Sequence, residues 1–370
     1  MKPDIMMISS VHNWNDTRIF HKETVSLAKK YNVELHAIAN FQEKTTEDIK
    51  VIGLPKYKKR IFRPLNWVRL FYRIFKSKSE IIHFHDPELM IIGLFFKLFT
   101  TKRVVYDIHE DYTKTILNKN WIGPLWFRKK IKKLFSFIEK KASSIFDLNI
   151  LVLDEWNKKY NNSIVIKNYP IIEDIDFNKI NKKDRVVYIG SLGKLRGIEE
   201  MIESFNLISN KKVAFDLIGK CSNKNLKSKM MPKIKSNPNI NYLGYVPINE
   251  AKKYLKEAKL GFCLYTDNKH EENIPVKMYE YLSYGTPVLH SDFDSWENKI
   301  GKEGWGVSVD PIDVKAIAKK IDDYFSNNRF DNYFKNCLKY RDKYNWRNEE
   351  KKLLKAYNNL LGDDINNVKT

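Results

Sequence analysis

The chain has 370 residues and a formal net charge of +21, from 66 basic against 45 acidic side chains. That length allows two domains with a core each, and the charge points to anionic partners: nucleotides, an anionic membrane surface or nucleic acid. The three cysteines, Cys221, Cys263 and Cys337, offer no CxxC pair and no disulfide framework, which fits a reducing cytoplasm.

The first residues, Met1-Lys2-Pro3-Asp4 and a short apolar run, are too brief and wrongly flanked for a signal peptide. The longest apolar run, residues 89–96, falls far short of the roughly 20 residues that span a bilayer. Any membrane contact is therefore expected to be peripheral, on the inner face of the cell membrane. Residues 5–8 read as a buried parallel strand. A polar loop, 11–17, follows, then a helix with Phe20, Thr24, Leu27 and Ala28 on one face and a strand at 33–39. This is the opening of an α/β domain. Its first loop lies at a strand's carboxyl end, where such sheets place ligands, and carries no Gly-x-Gly-x-x-Gly fingerprint.

Residues 50–79 contain no acidic side chain. Within them Leu65, Val68, Tyr72 and Phe75 recur at helical spacing, with Arg69, Arg73 and Lys76 off that stripe. The plain expectation is a core helix with a solvated basic face; the alternative is a face for anionic lipid or a lipid-diphosphate acceptor. A strand and loop follow at 81–88, and a strand at 104–111 ends in polar groups. A second basic, aromatic helix has Phe127, Ile131, Leu134 and Ile138 on one side and Lys129, Lys130, Lys132 and Lys133 on the other. Strands at 145–152 and 164–166 close this domain, and residues 168–184 read as a linker.

A second α/β domain opens with the strand and glycine-bearing loop 186–197. Its first helix puts Ile198, Met201, Ile202, Phe205 and Ile208 on one face. Strands are expected at 214–218, 240–243, 261–264, 288–290 and 306–309. The last helix, 346–361, should bury Leu353, Leu354, Tyr357 and Leu360, with the final few residues disordered. The expected division is 1–170, 171–345, and a terminal helix 346–370 that returns to the first domain.

Residues 271–288 have the grammar loop, helix, stop, strand. Pro275 suits a first helical turn. Met278, Tyr281 and Leu282 form a core-facing stripe, Gly285 can take the left-handed cap, and Pro287 ends the helix. Glu272 lies before the helix and Glu280 within it. A helix start beside two carboxylates suits a ligand that is anionic in one part and hydroxyl-rich in another.

The Glu272-x7-Glu280 spacing, with Pro275, the Gly285 stop and the following Pro287-Val288 strand, resembles the signature of family 4 glycosyltransferases. Segments from residue 1 to about 361 share the likeness. Asn15-Asp16-Thr17-Arg18 and the residues up to Glu23 resemble the first loop and helix of a bacterial surface-polysaccharide branch. The resemblance implies the α/β GT-B fold, two Rossmann-like domains facing across a cleft. It implies that Glu272 approaches the donor sugar while Glu280 holds the ribose hydroxyls, beside Asn273, Ile274, Pro275 and Lys277. His109, at the end of its strand, takes the position of the family's histidine near the donor sugar; Asn15, Asp16, Arg18 and His85 fall on the acceptor or cleft side. Gly190, Ser191, Lys194 and Arg196 resemble the phosphate loop, with Ser191 where the family usually has a basic residue, a charge that Lys194 or Lys277 would have to supply. Base contacts are expected from backbone near Gly219 and Tyr245.

The implied activity is retaining transfer of a sugar, from a UDP-sugar or alternatively a GDP-sugar, to a glycan or lipid-linked acceptor in surface polysaccharide synthesis. No cofactor and no essential divalent metal are expected: the Asp-x-Asp triplets Asp174–Asp176 and Asp292–Asp294, of the kind metal-binding GT-A enzymes use, read as structural. A sugar-nucleotide 2-epimerase of the same fold is the rival enzyme, although its His-Arg-x-x-Glu-Asn run is absent. A basic nucleic-acid binder is the rival of another class, and no RRM, KH or zinc motif supports it.

Overall fold

The computed structural model describes residues 4–268, 271–327 and 329–362. The C-terminal tail expected to be disordered, residues 363–370, lies outside them. The chain divides into two compact units, Met1–Asn168 with Trp346–Thr370, and Tyr169–Asn345.

The first unit is built on an eight-stranded sheet of order β3-β4-β2-β1-β5-β6-β7-β8. The strands are β1 (Ile5–Asn13), β2 (Val33–Ile38), β3 (Glu43–Thr46), β4 (Ile49–Leu54), β5 (Ile81–Phe84), β6 (Arg103–Ile108), β7 (Leu148–Leu151) and β8 (Ser163–Val165). All pair in parallel except β3 with β4. Side chains alternate across each strand. Met6, Ile8, Phe84 and Tyr106 pack under one set of helices, and Ile5, Met7, Ile81 and Val105 under the other. Both faces are covered, so the central strands read as unbroken apolar runs. The chain builds outward from β1 to β2 and β4, then crosses to β5 on β1's other side. The strand order therefore reverses at the β1/β5 carboxyl ends, where α/β sheets bind ligands. The terminal helix Trp346–Leu361 belongs to this unit: Trp346, Leu353 and Tyr357 are buried in the same cluster as Leu27 and Ile5.

Three expectations for this unit are corrected. The helix predicted from Phe20 to Ala28 begins as a π-helical turn, Ile19–Thr24, and continues as Val25–Ala28. The hairpin β3–β4 has no counterpart in the expected elements; its turn residues Glu47 and Asp48 carry positive φ without the Asn-Gly pair that announces such turns. In the helix Pro64–Lys76 the core stripe is Asn66, Leu70 and Ile74, whereas Leu65, Val68, Tyr72 and Phe75 face outward, Val68 at 67% exposure. Both stripes have helical spacing, so periodicity alone did not select the inner one. Asn66 earns its buried place by donating to the Pro55 carbonyl at 3.0 Å. The helix Leu125–Ile145 behaves alike: only Glu139, Ala142 and Ser143 are buried, while Phe127, Leu134 and Ile138 are exposed.

The second unit has a six-stranded, all-parallel sheet of order β11-β10-β9-β12-β13-β14. Its strands are β9 (Lys183–Ile189), β10 (Ala214–Ile218), β11 (Ile240–Gly244), β12 (Ala258–Cys263), β13 (Val288–Ser291) and β14 (Gly306–Val309). The order reverses between β9 and β12. The helix Val276–Ser283 buries Met278, Tyr281 and Leu282. Pro275 precedes it with φ −61° and ψ 140°, one position short of the first turn where it was expected. Gly285 has φ +63°, and a Cβ there would come within 2.6 Å of Phe334, so both backbone and space demand glycine.

Candidate functional site

Each unit gathers polar groups where its strand order reverses. In the first, the β5–β6 register sets Phe84 beside Tyr106, which brings the next positions, His85 and Asp107, together. Asp107, on β6, and His109, just past its end, are two apart and share a face. Fully buried Asp107 accepts from Arg18 Nε at 3.0 Å and Nη2 at 2.7 Å, from His85 Nδ1 at 3.1 Å and from His109 Nδ1 at 3.0 Å. Burial by itself would raise this carboxyl. The Arg18 guanidinium, the charge and hydrogen bond of His109, and the hydrogen bond from His85 outweigh it and hold Asp107 well below the usual carboxylate range.

Behind Asp107 lie Glu23, 2.8 Å from Arg18 Nη2, and His83, hydrogen-bonded through Nδ1 to the Tyr357 hydroxyl at 2.7 Å. Glu23 is pushed well up by burial and by the Asp107 charge, against the pull of Arg18. Burial lowers both His83 and His85, so each is neutral at physiological pH. Glu23, His83 and His85, and likewise His85, Asp107 and His109, bring three possible ligand atoms within 4.8 Å of one another. The Arg18 guanidinium touches both carboxylates and already supplies the positive charge a metal ion would bring.

Above this buried layer, His109 is 12% exposed in its side chain and meets His12 edge to face, ring centroids 5.2 Å apart. His12 Nδ1 is 3.7 Å from Asp16 and Nε2 is 3.5 Å from Asp86. Burial opposes protonation of His12, but the neighbouring Asp16 and Asp86 carboxylates prevail and raise its pKa. Asp16 also accepts from the Arg18 and Ile19 amides at 2.8 and 3.0 Å, which caps the π-helical turn. Asp86 accepts from Ser9 Oγ at 2.9 Å and from the Ser10 amide at 2.5 Å, tying β1 to β5. Asn15 is exposed. Of the residues expected on the acceptor side, Arg18 and His85 are therefore interior supports, and Asp16 stands beside His12. Asp107 and His12 escaped the sequence reading; the two-residue spacing of Asp107 from His109 on a strand was the available signal.

In the second unit, loops from three adjacent strands are joined through backbone. Gly190 donates to Ile218, Leu192 to Lys220, and Gly219 to Gly244, at 2.7–3.1 Å. A Cβ on Gly219 would lie 1.7 Å from the Gly190 carbonyl oxygen, so only glycine permits this approach. Arg196 donates to the Tyr265 hydroxyl at 2.8 Å and lies over that ring. The Lys277 ammonium sits 4.2 Å from the centroid of the Tyr188 ring and against Gly190. Its stem is partly exposed, but its nitrogen is buried and has no hydrogen-bond partner. Glu280 is half-buried one turn further along the same helix; Glu272 and Asn273 are exposed in the preceding turn, and Ile274 is partly buried. Ser191 and Lys194 are exposed, and Tyr245 is 78% exposed beside Gly244. The structure thus brings Gly190, Gly219, Arg196 and Lys277 to one set of strand ends. Tyr188 and Tyr265, the aromatic seats of the two cations, were not anticipated. Asp292 and Asp294 are exposed, and Asp176 caps a turn by accepting from the Asn178 amide.

Residues 171–341, nearly the whole second unit, match the family described as Glycosyl transferases group 1. A probable glycosyltransferase WbjE of Pseudomonas aeruginosa is 24% identical over 216 residues, so the match spans about half of each chain, 52% of this one and 52% of that. Among solved structures, a sucrose-phosphate synthase from Thermosynechococcus elongatus superposes with a TM-score of 0.72 at 14% identity, covering 98% of this chain and 100% of that one. A glycosyltransferase from Rickettsia africae gives 0.71 at 14% identity, covering 98% and 100%. Anabaena HepE in complex with UDP-glucose gives 0.68 at 11% identity, covering 96% and 99%. The fold is that of the GT-B glycosyltransferases.

Proposed function

We propose, from a second unit that carries a group 1 glycosyl transferase domain, that the chain transfers a sugar from a nucleotide-sugar donor to a saccharide or lipid-linked acceptor, with retention at the anomeric carbon. The observation that carries the reading is the set of strand ends where Gly190 and Gly219 meet through backbone beside Arg196, Lys277 and the start of the Val276–Ser283 helix. Two cations and a helix start with no acidic residue in its first turn suit a diphosphate, whose negative charge grows as it leaves. Glu280 then binds ribose hydroxyls and Glu272 the sugar. A UDP-sugar is the favoured donor, in keeping with the UDP-glucose complex of HepE. In the first unit His109, fixed through Nδ1 by Asp107, is the candidate group for the transfer chemistry. Incubation of the full chain with a panel of nucleotide sugars tests the reading. A product formed only when a saccharide acceptor is added supports transfer; conversion of the donor alone would favour the epimerase.

Activity is expected to persist in EDTA, because cationic side chains rather than a metal hold the phosphates in this reading. Loss of turnover on chelation, restored by manganese, would overturn that expectation.

The outward face of the first unit favours work at an anionic membrane surface. The helices Pro64–Lys76, Met90–Phe99 and Leu125–Ile145 pack on the same side of the sheet. Val68, Phe75, Leu98, Phe99, Trp126 and Phe137 all project outward from them. The Arg60 guanidinium lies 4.6 Å from the Trp121 ring centroid, and Phe71 and Phe95 are 4.9 Å apart, so the apolar and basic groups are continuous across elements. Soluble surfaces seldom expose so many large apolar side chains together; apolar groups ringed by lysine and arginine fit an anionic interface. Among the described residues no helix is long and apolar enough to cross a membrane, so this reading is of peripheral attachment. Paired Val68→Glu and Phe137→Glu substitutions should reduce sedimentation with phosphatidylglycerol vesicles about tenfold or more. Binding indifferent to lipid charge and to salt would reject the surface.

A further inference from the structure

We propose that Lys277 is the cation that replaces the one missing at Ser191, and that it takes up a proton as the nucleotide's phosphate arrives. The proposal rests on the donor-binding reading of the second unit and adds to it how that site is charged and when.

Three observations converge on Lys277 rather than Lys194. The first is its unsatisfied nitrogen. Lys277 Nζ is buried and hydrogen-bonded to nothing, with only the face of Tyr188 beneath it. A buried ammonium without an acceptor is costly. Lys182 shows the alternative: equally enclosed, it donates to the Ala258 and Tyr284 carbonyls and to Thr286 Oγ1, each at 3.0 Å. Lys277 lacks such acceptors, and a phosphate oxygen would supply one. Lys194 is exposed and needs none.

The second is position. Nζ lies against Gly190, where an added Cβ would stand 3.0 Å from it. It therefore reaches across from its own helix to the loop that leaves β9, the loop whose first side chain, Ser191, carries no charge. The third is the competition between helix starts. The helix Ile198–Leu207, which follows that loop, already has Glu199 and Glu200 in its first turn. Their charge occupies its positive end and repels a phosphate. The Val276–Ser283 helix has no acidic residue in its first turn, so its positive end is left to an anion meeting Lys277 there, with Glu280 one turn further on.

The charge state follows from the surroundings. Burial lowers Lys277, with Arg196 adding to the effect and Cys263 and Glu280 opposing it, to about 8. The groups around it are Tyr188 on β9, Cys263 on β12, Arg196 on the loop, and Glu280 on its own helix. Burial pushes the Tyr188 hydroxyl above its ordinary range and Cys263 up to about 11. Lys277 is thus the member of this group that titrates just above neutrality. A dianionic phosphate within hydrogen-bond reach favours the ammonium and pulls its pKa upward.

The test is calorimetry of the full chain with UDP and with GDP, in two buffers of different ionisation enthalpy, at about pH 8.5, where a diphosphate is fully ionised. The expected result is uptake of a substantial fraction of one proton per nucleotide bound. In Lys277→Met the uptake should vanish and diphosphate affinity should fall about tenfold or more, while uridine or guanosine affinity is unchanged. Nucleotide binding without proton uptake by the unaltered protein would overturn the role of Lys277 and leave the donor site standing. Equal diphosphate affinity in Lys277→Met would do the same. Failure of both nucleotides to bind at all would overturn the donor-site reading, and this proposal with it.

Discussion

Replacing Asp107 by alanine should lower the stability of the first unit by about 3–5 kcal/mol, the usual cost of leaving a buried charge without its partner. Asp107 is fully buried and accepts four hydrogen bonds, two from Arg18 and one each from His85 and His109. Without it the Arg18 guanidinium keeps Glu23 and the Ile166 carbonyl, at 2.8 and 3.2 Å. Glu23, however, is a group that its surroundings drive toward the neutral form. Such a loss is a large share of a domain's usual stability of about 5–15 kcal/mol. Urea denaturation followed by circular dichroism measures it. A double replacement, Asp107→Ala with Arg18→Met, should recover part of the loss, because the orphaned cation is then gone. Asp107→Ala unfolding at the same urea concentration as the unaltered chain would show that the network carries no stability.

The milder Asp107→Asn keeps the shape and separates support from chemistry. Both histidines bond to Oδ2 and Arg18 Nη2 to Oδ1; an amide has a single oxygen, so its NH2 must face either the histidines or the guanidinium, and the charge that holds the His109 Nδ1–H is lost. Turnover should fall by about a hundredfold with little change in nucleotide affinity, the pattern of a contact made mainly in the transition state. Nitrogen NMR of the histidine rings reports the tautomer directly. An unchanged His109 tautomer in the asparagine variant would show that Asp107 does not position it.

Glu280→Ala is expected to weaken affinity for the free nucleoside diphosphate by about tenfold or more. The carboxylate is half-buried on the Val276–Ser283 helix, one turn beyond Lys277. That placement suits two vicinal ribose hydroxyls, and charge-assisted bonds of this kind contribute roughly 1.5–3 kcal/mol each. Glu272→Ala should behave differently. It lies exposed before the helix, and in the proposed reading it meets the sugar, so its loss should slow transfer more than it weakens binding. Calorimetry with the diphosphate beside steady-state kinetics separates the two. Unchanged diphosphate affinity in Glu280→Ala would make that carboxylate a structural helix residue and would remove the central residue of the donor site.

Much of the fold was legible in the sequence. The strands β10 and β14, the first half of β1, the terminal helix, and the core stripe Met278, Tyr281 and Leu282 follow from apolar runs and helical spacing, because both faces of a parallel sheet are covered; β1 itself runs on to Asn13, into residues read as a polar loop. Arg196, the glycines of the loop leaving β9 and the role expected of Glu280 came from the family resemblance, while local chemistry marked only the segment around Glu280, with its helix start and its stop. What sequence could not decide is which of two equivalent stripes turns inward. In the helix Pro64–Lys76, Leu70 and Ile74 face the sheet and Val68 and Phe75 face out, and only the position of β1 beneath the helix sets that choice. The same holds for charge. Arg18, His85 and Asp107 are scattered along 90 positions, and their hydrogen bonds exist only because β5 and β6 pair in one register. The sequence named Lys277 only through the family resemblance, as one of two lysines that could supply the missing charge; its unpaired, buried nitrogen is a property of where Tyr188 and Gly190 stand around it. Periodicity and turn chemistry are local and can be read from the chain, whereas desolvation and pairing depend on neighbours distant in sequence, which only the packed structure supplies.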